Sequence, residues 1–78
     1  MLECRLIYPE KIKIYKNLKS ITLPSILGEM EVLIDHAQSF VLLKRGTIVL
    51  TTVGDRKIKI PVKEGGVYIK DNKVKIIF

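Results

Sequence analysis

Hydrophobic and polar residues alternate along most of this chain, and this period of two limits what the chain can fold into. In the segment Lys57–Lys63, which reads KIKIPVK, isoleucine and valine fill every second position and lysine fills most of the others. Successive side chains of a β-strand point to opposite faces, so the pattern is typical of a strand with one buried face. The same alternation recurs in three further runs: Leu2–Leu6, Lys11–Ile14 and Lys73–Phe78.

Turn dipeptides separate these runs and leave no uninterrupted window of helical length. Gly54-Asp55 and Gly65-Gly66 lie between apolar segments, and Asp71-Asn72 joins VYIK to KVKIIF as a tight hairpin. Pro61, inside an alternating run, predicts an edge strand, where the missing N–H costs least. The pattern therefore predicts an all-β fold, an antiparallel β-sandwich or flattened barrel of roughly eight to ten short strands.

The alternation also predicts which side chains form the core. Residues of the apolar parity should face the opposing sheet, because a sandwich buries one side of each of its sheets. We expect the following side chains to be largely buried: Ile12, Ile14, Ile21, Leu23, Val32, Ile48, Leu50, Ile58, Ile60, Val74 and Ile76.

The length of 78 residues predicts a single domain, residues 1–78, close to the lower size limit for one stable core. Cys4 is the only cysteine and His36 the only histidine, so no intramolecular disulfide can form and no zinc-ligand spacing is present. No apolar run approaches the roughly 20 residues of a membrane span. Met1 is not followed by the pattern of a secretion signal. These features predict a soluble cytoplasmic protein without a metal or cofactor.

The net charge of +6 raises the possibility of nucleic-acid binding. Most lysines, however, occupy the outward positions of alternating strands, where they keep an apolar sheet soluble and discourage edge pairing. A single-strand binder would also need aromatic side chains among its basic residues. The few aromatic residues are Tyr8, Tyr15, Phe40, Tyr68 and Phe78. We therefore favour a solvated lysine face and keep a small basic β-barrel nucleic-acid-binding module as the alternative function.

The chain offers no convincing catalytic set. Ser39 lies three residues from His36, but a nucleophile also needs a base that a third group orients. Asp35 should point away from His36 in an extended segment. Glu29 and Glu31 lack the contrasting environments that would separate the pKa values of a general acid and a general base. We therefore expect a protein that is not an enzyme and has no catalytic residues.

Four short motifs follow one another in an order that resembles a known family. They are Gly28-Glu29 with Val32, His36-Ala37, the run Lys44–Ile48, and the run Gly65–Val67. In this order and at these spacings they resemble the N-terminal β-sandwich domain of the epsilon subunit of F-type ATP synthases. The chain differs from the usual family pattern at Glu31, Ile34, Gln38 and Ser39, where a glycine, two prolines and a leucine are usual.

The resemblance implies a mechanical function in the rotor, or central stalk, of an ATP synthase. Such a subunit would couple rotation of the c-subunit ring to the gamma subunit and the catalytic head during ion-driven ATP synthesis. It would be a peripheral part of the complex at the cytoplasmic face of the inner (plasma) membrane, without direct membrane insertion. Family members usually continue into a helical hairpin, and because the chain stops at Phe78 we expect neither ATP binding nor inhibition of ATP hydrolysis.

The resemblance also assigns two separate contact surfaces. The gamma-subunit interface would contain Tyr8, His36, Ala37, Phe40 and Val41. The c-ring interface would contain Ser25, Leu27, Gly28 and Glu29. A structural alternative is a free-standing domain that forms homo-oligomers through its lysine-poor face.

Overall fold

A computed structural model describes residues 1–78 and contains eight β-strands. The strands are β1 Leu2–Ile7, β2 Ile12–Ser25, β3 Gly28–Val32, β4 Ser39–Leu43, β5 Gly46–Thr52, β6 Lys57–Val62, β7 Gly65–Lys70 and β8 Lys73–Ile77. The chain forms no helix of the length and apolar character needed to cross a membrane. This all-β architecture confirms the predicted fold class.

The strands form one continuous sheet that curls into a flattened barrel. The order along it is β1-β8-β7-β4-β2-β5-β6, and β3 and β1 both pair with β2. The pairs β2–β1, β1–β8, β8–β7, β7–β4 and β4–β2 therefore close a ring. One prediction needs correction: β1 and β8 run parallel, although all other pairs are antiparallel. Strand β6 ends the sheet, which confirms the edge position predicted from Pro61.

The long strand β2 contributes to both sides of the flattened barrel, because the strand is irregular at its centre. Its first half pairs with β1 and its second half with β3 and β5, with register shifts near Leu18. Asn17 has a φ of 58°, in the left-handed region that asparagine tolerates better than most residues. Bulges of this kind let one strand turn a corner between two sheets.

The first residues of β2 contain the main error in the predicted core. Ile12 is 61% exposed and Ile14 is 50% exposed, although both were expected to be buried. Pairing with β1 explains this exposure, because Ile14 lies opposite Arg5 and Ile12 lies opposite Ile7, on the face of β1 that points away from its buried residues. The alternating pattern of these residues is real, but it does not share the parity of the second half of β2.

The remaining core follows the predicted parity. Eight expected residues are buried: Ile21, Leu23, Val32, Ile48, Leu50, Ile60, Val74 and Ile76. Ile58 is only half-buried and packs against the core from the sheet edge. Strand β1 contributes Leu2, Cys4 and Leu6. Burial raises the pKa of the Cys4 thiol to about 12, so this group is neutral in the folded protein at ordinary pH.

Candidate functional site

The turn between β2 and β3 presents part of the predicted c-ring interface. Leu27 is 96% exposed, and Glu29 is exposed at the start of β3. Ser25, in contrast, is buried: its Oγ accepts a hydrogen bond from the Leu27 N–H at 3.1 Å and donates one to the Gly28 carbonyl at 2.6 Å. Gly28 has a φ of 122°, which favours glycine. Ser25 therefore fixes the shape of the turn, and Leu27 and Glu29 form its surface.

The loop of residues 33–38 holds the only histidine and is fastened to the β7–β8 hairpin. The Asp35 N–H donates a hydrogen bond to the Asn72 Oδ1 at 2.7 Å, and the Asn72 Nδ2 donates to the Asp35 Oδ1 at 3.3 Å. Asp35 therefore pairs with Asn72 rather than with His36, whose Nδ1 lies 2.7 Å from the Ala37 carbonyl. The Gln38 Nε2 donates to the Tyr68 hydroxyl at 3.0 Å. These bonds order the loop without the prolines that are usual in the family resembled.

A shallow apolar hollow of about 510 Å³ joins the two predicted interfaces. Ile26, Leu27 and Met30 line one side of it. Residues of the predicted gamma interface line the other side: His36, Phe40 and Val41, together with Ser39 and Leu42. The structure thus brings together residues that the sequence analysis assigned to two separate surfaces.

Phe40 is the largest side chain at this hollow and is 61% exposed, so it is not a core residue. Its ring lies over Gly66 of the neighbouring strand, where an added Cβ would be only 2.9 Å from the Phe40 Cζ. An aromatic ring can pack on a cross-strand glycine with one face and leave the other face accessible. Phe40 therefore has the exposure that an interface anchor requires.

Comparison with known proteins assigns the chain to a family. A family model for the ATP synthase, Delta/Epsilon chain, beta-sandwich domain matches residues 1–78. The chain belongs to this family. The match confirms the resemblance that the four sequence motifs indicated.

Relatives of this delta/epsilon domain are longer than the chain. It is 34% identical over 76 residues to the protein named ATP synthase epsilon chain, chloroplastic, of Emiliania huxleyi, covering 97% of this chain and 58% of that relative. A chain of the Euglena gracilis mitochondrial ATP synthase has the same fold, with a TM-score of 0.88 and 22% identity over 95% of this chain and 48% of that chain. A chain of the Tetrahymena thermophila mitochondrial ATP synthase has a TM-score of 0.79 and 18% identity, covering 97% and 61%. The domain thus spans about half to three fifths of these relatives.

Tyr8 lies apart from the other predicted gamma-interface residues of the delta/epsilon domain. Its ring stacks on Phe78, with ring centroids 4.4 Å apart and an interplanar angle of 3°. The Lys11 Nζ lies 5.4 Å from the centre of the Tyr8 ring. Tyr8 follows β1, and β8 and β7 separate that strand from β4, which carries Phe40. A single partner would have to extend across these strands to contact both residues.

An exposed apolar row on the delta/epsilon domain was missed by the sequence analysis. Strand register places five outward residues side by side across the sheet: Leu42, Gly66, Ile77, Ile7 and Ile12. Leu42, Ile77 and Ile12 are exposed. The signal that could have revealed this row is position along β2, since Ile12 and Ile14 hold even positions and the buried Ile21 and Leu23 hold odd ones.

The charged groups of the delta/epsilon domain form few fixed pairs. Lys19 pairs with Asp55, and the Arg5 Nε lies 3.0 Å from the Glu3 Oε2. The hydrogen bond from Arg5 lowers the pKa of Glu3. No three His, Cys, Asp or Glu side chains lie together in an arrangement that could hold a metal ion.

Proposed function

We propose that this delta/epsilon domain is part of the rotor stalk of an F-type ATP synthase, where it links the gamma subunit to the ring of c subunits. The observation that carries the proposal is the family match over all 78 residues. The fold similarity to ATP synthase chains and the exposed hollow around Phe40 and Leu27 support it. Family membership favours this function over nucleic-acid binding.

A stalk subunit must transmit torque without deforming. The sixteen buried apolar residues of this domain form one cluster, and closely packed interiors have low compressibility. The closed ring of strands adds hydrogen bonds around the barrel. Both features favour a rigid body that moves as a unit between two partners.

In this proposal Phe40 is the anchor at the gamma subunit, with His36, Ala37 and Val41 around it. Phe40→Ala should weaken binding to the purified gamma subunit of the same organism about 30-fold, equivalent to about 2 kcal/mol, as is typical of a central interface residue. Isothermal titration calorimetry measures this change. Because Phe40 is exposed, its replacement should leave the melting temperature nearly unchanged.

Lys57→Ala is the matched control, since Lys57 is exposed on the edge strand β6 and lies on neither proposed interface. Its affinity for gamma should equal that of the unchanged domain. The proposal fails if gamma does not bind the unchanged domain. The assignment of Phe40 fails if Phe40→Ala binds gamma with full affinity.

The proposed contact with the c ring consists of the turn that Ser25 and Gly28 shape and that Leu27 and Glu29 expose. A single exposed ion pair at Glu29 would contribute on the order of 1 kcal/mol or less. Glu29→Lys would instead place like charges together if the facing ring loops are basic. We expect lower ion-driven ATP synthesis relative to ATP hydrolysis at low salt, with gamma binding intact. Unchanged synthesis at low ionic strength would remove Glu29 from the ring contact.

The same proposal makes the domain a non-catalytic, peripheral component at the cytoplasmic face of the plasma membrane. It also treats residues 1–78 as one folding unit. The isolated chain should therefore unfold in a single cooperative transition, with coincident curves from circular dichroism and tyrosine fluorescence. Two separated transitions would argue against a single unit.

A further inference from the structure

Strand β4 is fully paired along only one of its two edges. On one side all five of its residues pair with β7. On the other side the pairing is limited to the last residue of the strand, because Leu43 opposite Ser25 is the only bridge between β2 and β4. The second edge of β4 is therefore open over most of its length, and an open edge can accept a further strand.

The main-chain groups of Phe40 point to this open edge. The Ile26 N–H donates to the Leu42 carbonyl at 3.0 Å, so the main-chain groups of Leu42 are directed away from β7. Alternate residues of a strand direct these groups to the same side. Phe40 comes two positions before Leu42, and it therefore directs both its N–H and its C=O away from β7, where no strand pairs with it.

The apolar hollow of about 510 Å³ lies along the same open edge. Ser39, Phe40 and Val41 of β4 line one side of it, and Ile26 and Met30 of the β2–β3 hairpin line the other. The hollow thus occupies the position that a further strand beside β4 would take. Its apolar lining could contact alternate side chains of such a strand.

Ser39 supplies a second observation at this edge. Its Oγ is buried and has no hydrogen-bond partner within the chain. Buried hydroxyl groups in proteins are nearly always hydrogen-bonded, so a group without a partner calls for an explanation. Ser39 lines the hollow, and a main-chain carbonyl of a segment bound there could accept the hydrogen bond that the hydroxyl lacks.

We propose that the open edge of β4 accepts an extended segment of the gamma subunit as an added strand. This inference rests on the proposed function and names the way in which gamma is held, by main-chain hydrogen bonds at Phe40 and by apolar side chains in the hollow. Continuity with the assigned surface favours gamma as the occupant, because β4 carries both Phe40 and Val41. Glu29 does not line the hollow and stays available for the ring.

The direct test measures amide hydrogen exchange of the isotope-labelled domain by nuclear magnetic resonance, with and without the purified gamma subunit of the same organism. The Phe40 amide should exchange about tenfold more slowly in the complex, because it gains a hydrogen bond. The Val41 amide faces β7 and should be protected in both states, so it is the internal control.

The result also separates this inference from the proposed function. If gamma binds and the exchange of the Phe40 amide is unchanged, the added strand is refuted and the stalk function stands. If gamma does not bind the domain, both fail.

A pair of variants at Phe40 isolates the main-chain bond. Phe40→Ala and Phe40→Pro both remove the ring, but only proline also lacks the N–H. Proline is tolerated where the N–H of an edge strand faces outward, so both variants should fold. Phe40→Pro should bind gamma about tenfold more weakly than Phe40→Ala in calorimetry. Equal affinities of the two variants would contradict the added strand.

Ser39→Ala tests the edge without changing the main chain. The free domain should melt at the same temperature or slightly higher, because the variant removes a buried hydroxyl that has no partner. Its affinity for gamma should fall about fivefold, because one hydrogen bond to the added strand is lost. Thr47→Ala is the matched control, since Thr47 is exposed on β5 and does not line the hollow. Full affinity of Ser39→Ala would overturn this placement of the gamma segment.

Discussion

Gly65 should be the glycine at which an added methyl group most reduces stability. A Cβ at this position would lie 2.5 Å from the carbonyl oxygen of Ile77. Ordinary van der Waals separation is about 3.5 Å, so one of the two groups must retreat by roughly 1 Å. The oxygen belongs to the backbone of β8, which is paired on both sides, with β7 and with β1. The carbonyl oxygen cannot move without disturbing the hydrogen bonds that join β8 to its two neighbouring strands.

The expected free-energy change follows from two opposing effects of Gly65→Ala. The backbone of Gly65 does not have a positive φ, so alanine is compatible with it and would stabilise by about 0.4–1 kcal/mol through the unfolded chain. Overpacking against a fixed group costs about 1–3 kcal/mol, and sometimes more. The net loss should be about 1–2 kcal/mol, which corresponds to a melting temperature lower by about 4–16 °C in a domain of this size.

Thermal unfolding followed by circular dichroism tests this expectation, with Gly66→Ala as the matched control. A Cβ at Gly66 would meet the Phe40 Cζ, the far end of an exposed ring that can turn away. Gly66→Ala should therefore change the melting temperature little, although it should displace the ring and weaken any contact that depends on Phe40. The reasoning is refuted if Gly65→Ala melts at or above the temperature of the unchanged domain, or if both variants are equally destabilised.

Three further outcomes follow from buried and paired groups. The raised pKa of Cys4, about 12 against an ordinary 9.0, means that the folded state keeps a proton that the unfolded state releases, so unfolding titrations should show stability falling as pH rises from about 9 to 12. Asn72→Gly keeps the left-handed turn but removes the amide that bonds Asp35, so hydrogen exchange of the Asp35 amide should accelerate without global unfolding. Arg5→Ala removes the main cause of the lowered Glu3 pKa, and nuclear magnetic resonance titration should find that pKa nearer its usual value.

Local patterns predicted the strands well, because the alternation of apolar and polar residues and the left-handed turn residues are both determined by a few neighbouring positions. Asp71 and Asn72 both have a positive φ, as the tight hairpin required. Pairing between distant strands has no such local signature, so the parallel β1–β8 pair could not be predicted. The predicted burial of Ile12 and Ile14 was wrong because it considered their short run by itself: both hold even positions of β2, whereas its buried residues Ile21 and Leu23 hold odd ones.

The list of candidate site residues stays a prediction, and their arrangement in space could not be read from the sequence. Asp35 was expected to point away from its neighbour His36, but its actual partner, Asn72, is 37 positions away and could not be read from the sequence. Ser25 was assigned to a contact surface, but its hydroxyl is used within the turn. The exposure of Phe40 agrees with its assignment, and the hollow that connects it to the β2–β3 turn depends on tertiary packing that no local pattern encodes.

Pairing of the first strand with β8 affects how the chain folds during synthesis. Glu3 lies opposite Lys73, seventy residues further along the chain. At translation rates of about 5–20 residues per second, β1 waits roughly 4–14 s for its second neighbour. Meanwhile β2 can cover only one edge of β1, and an open edge is a site for pairing with other chains. One edge of β1 therefore stays open until β8 emerges and closes the barrel.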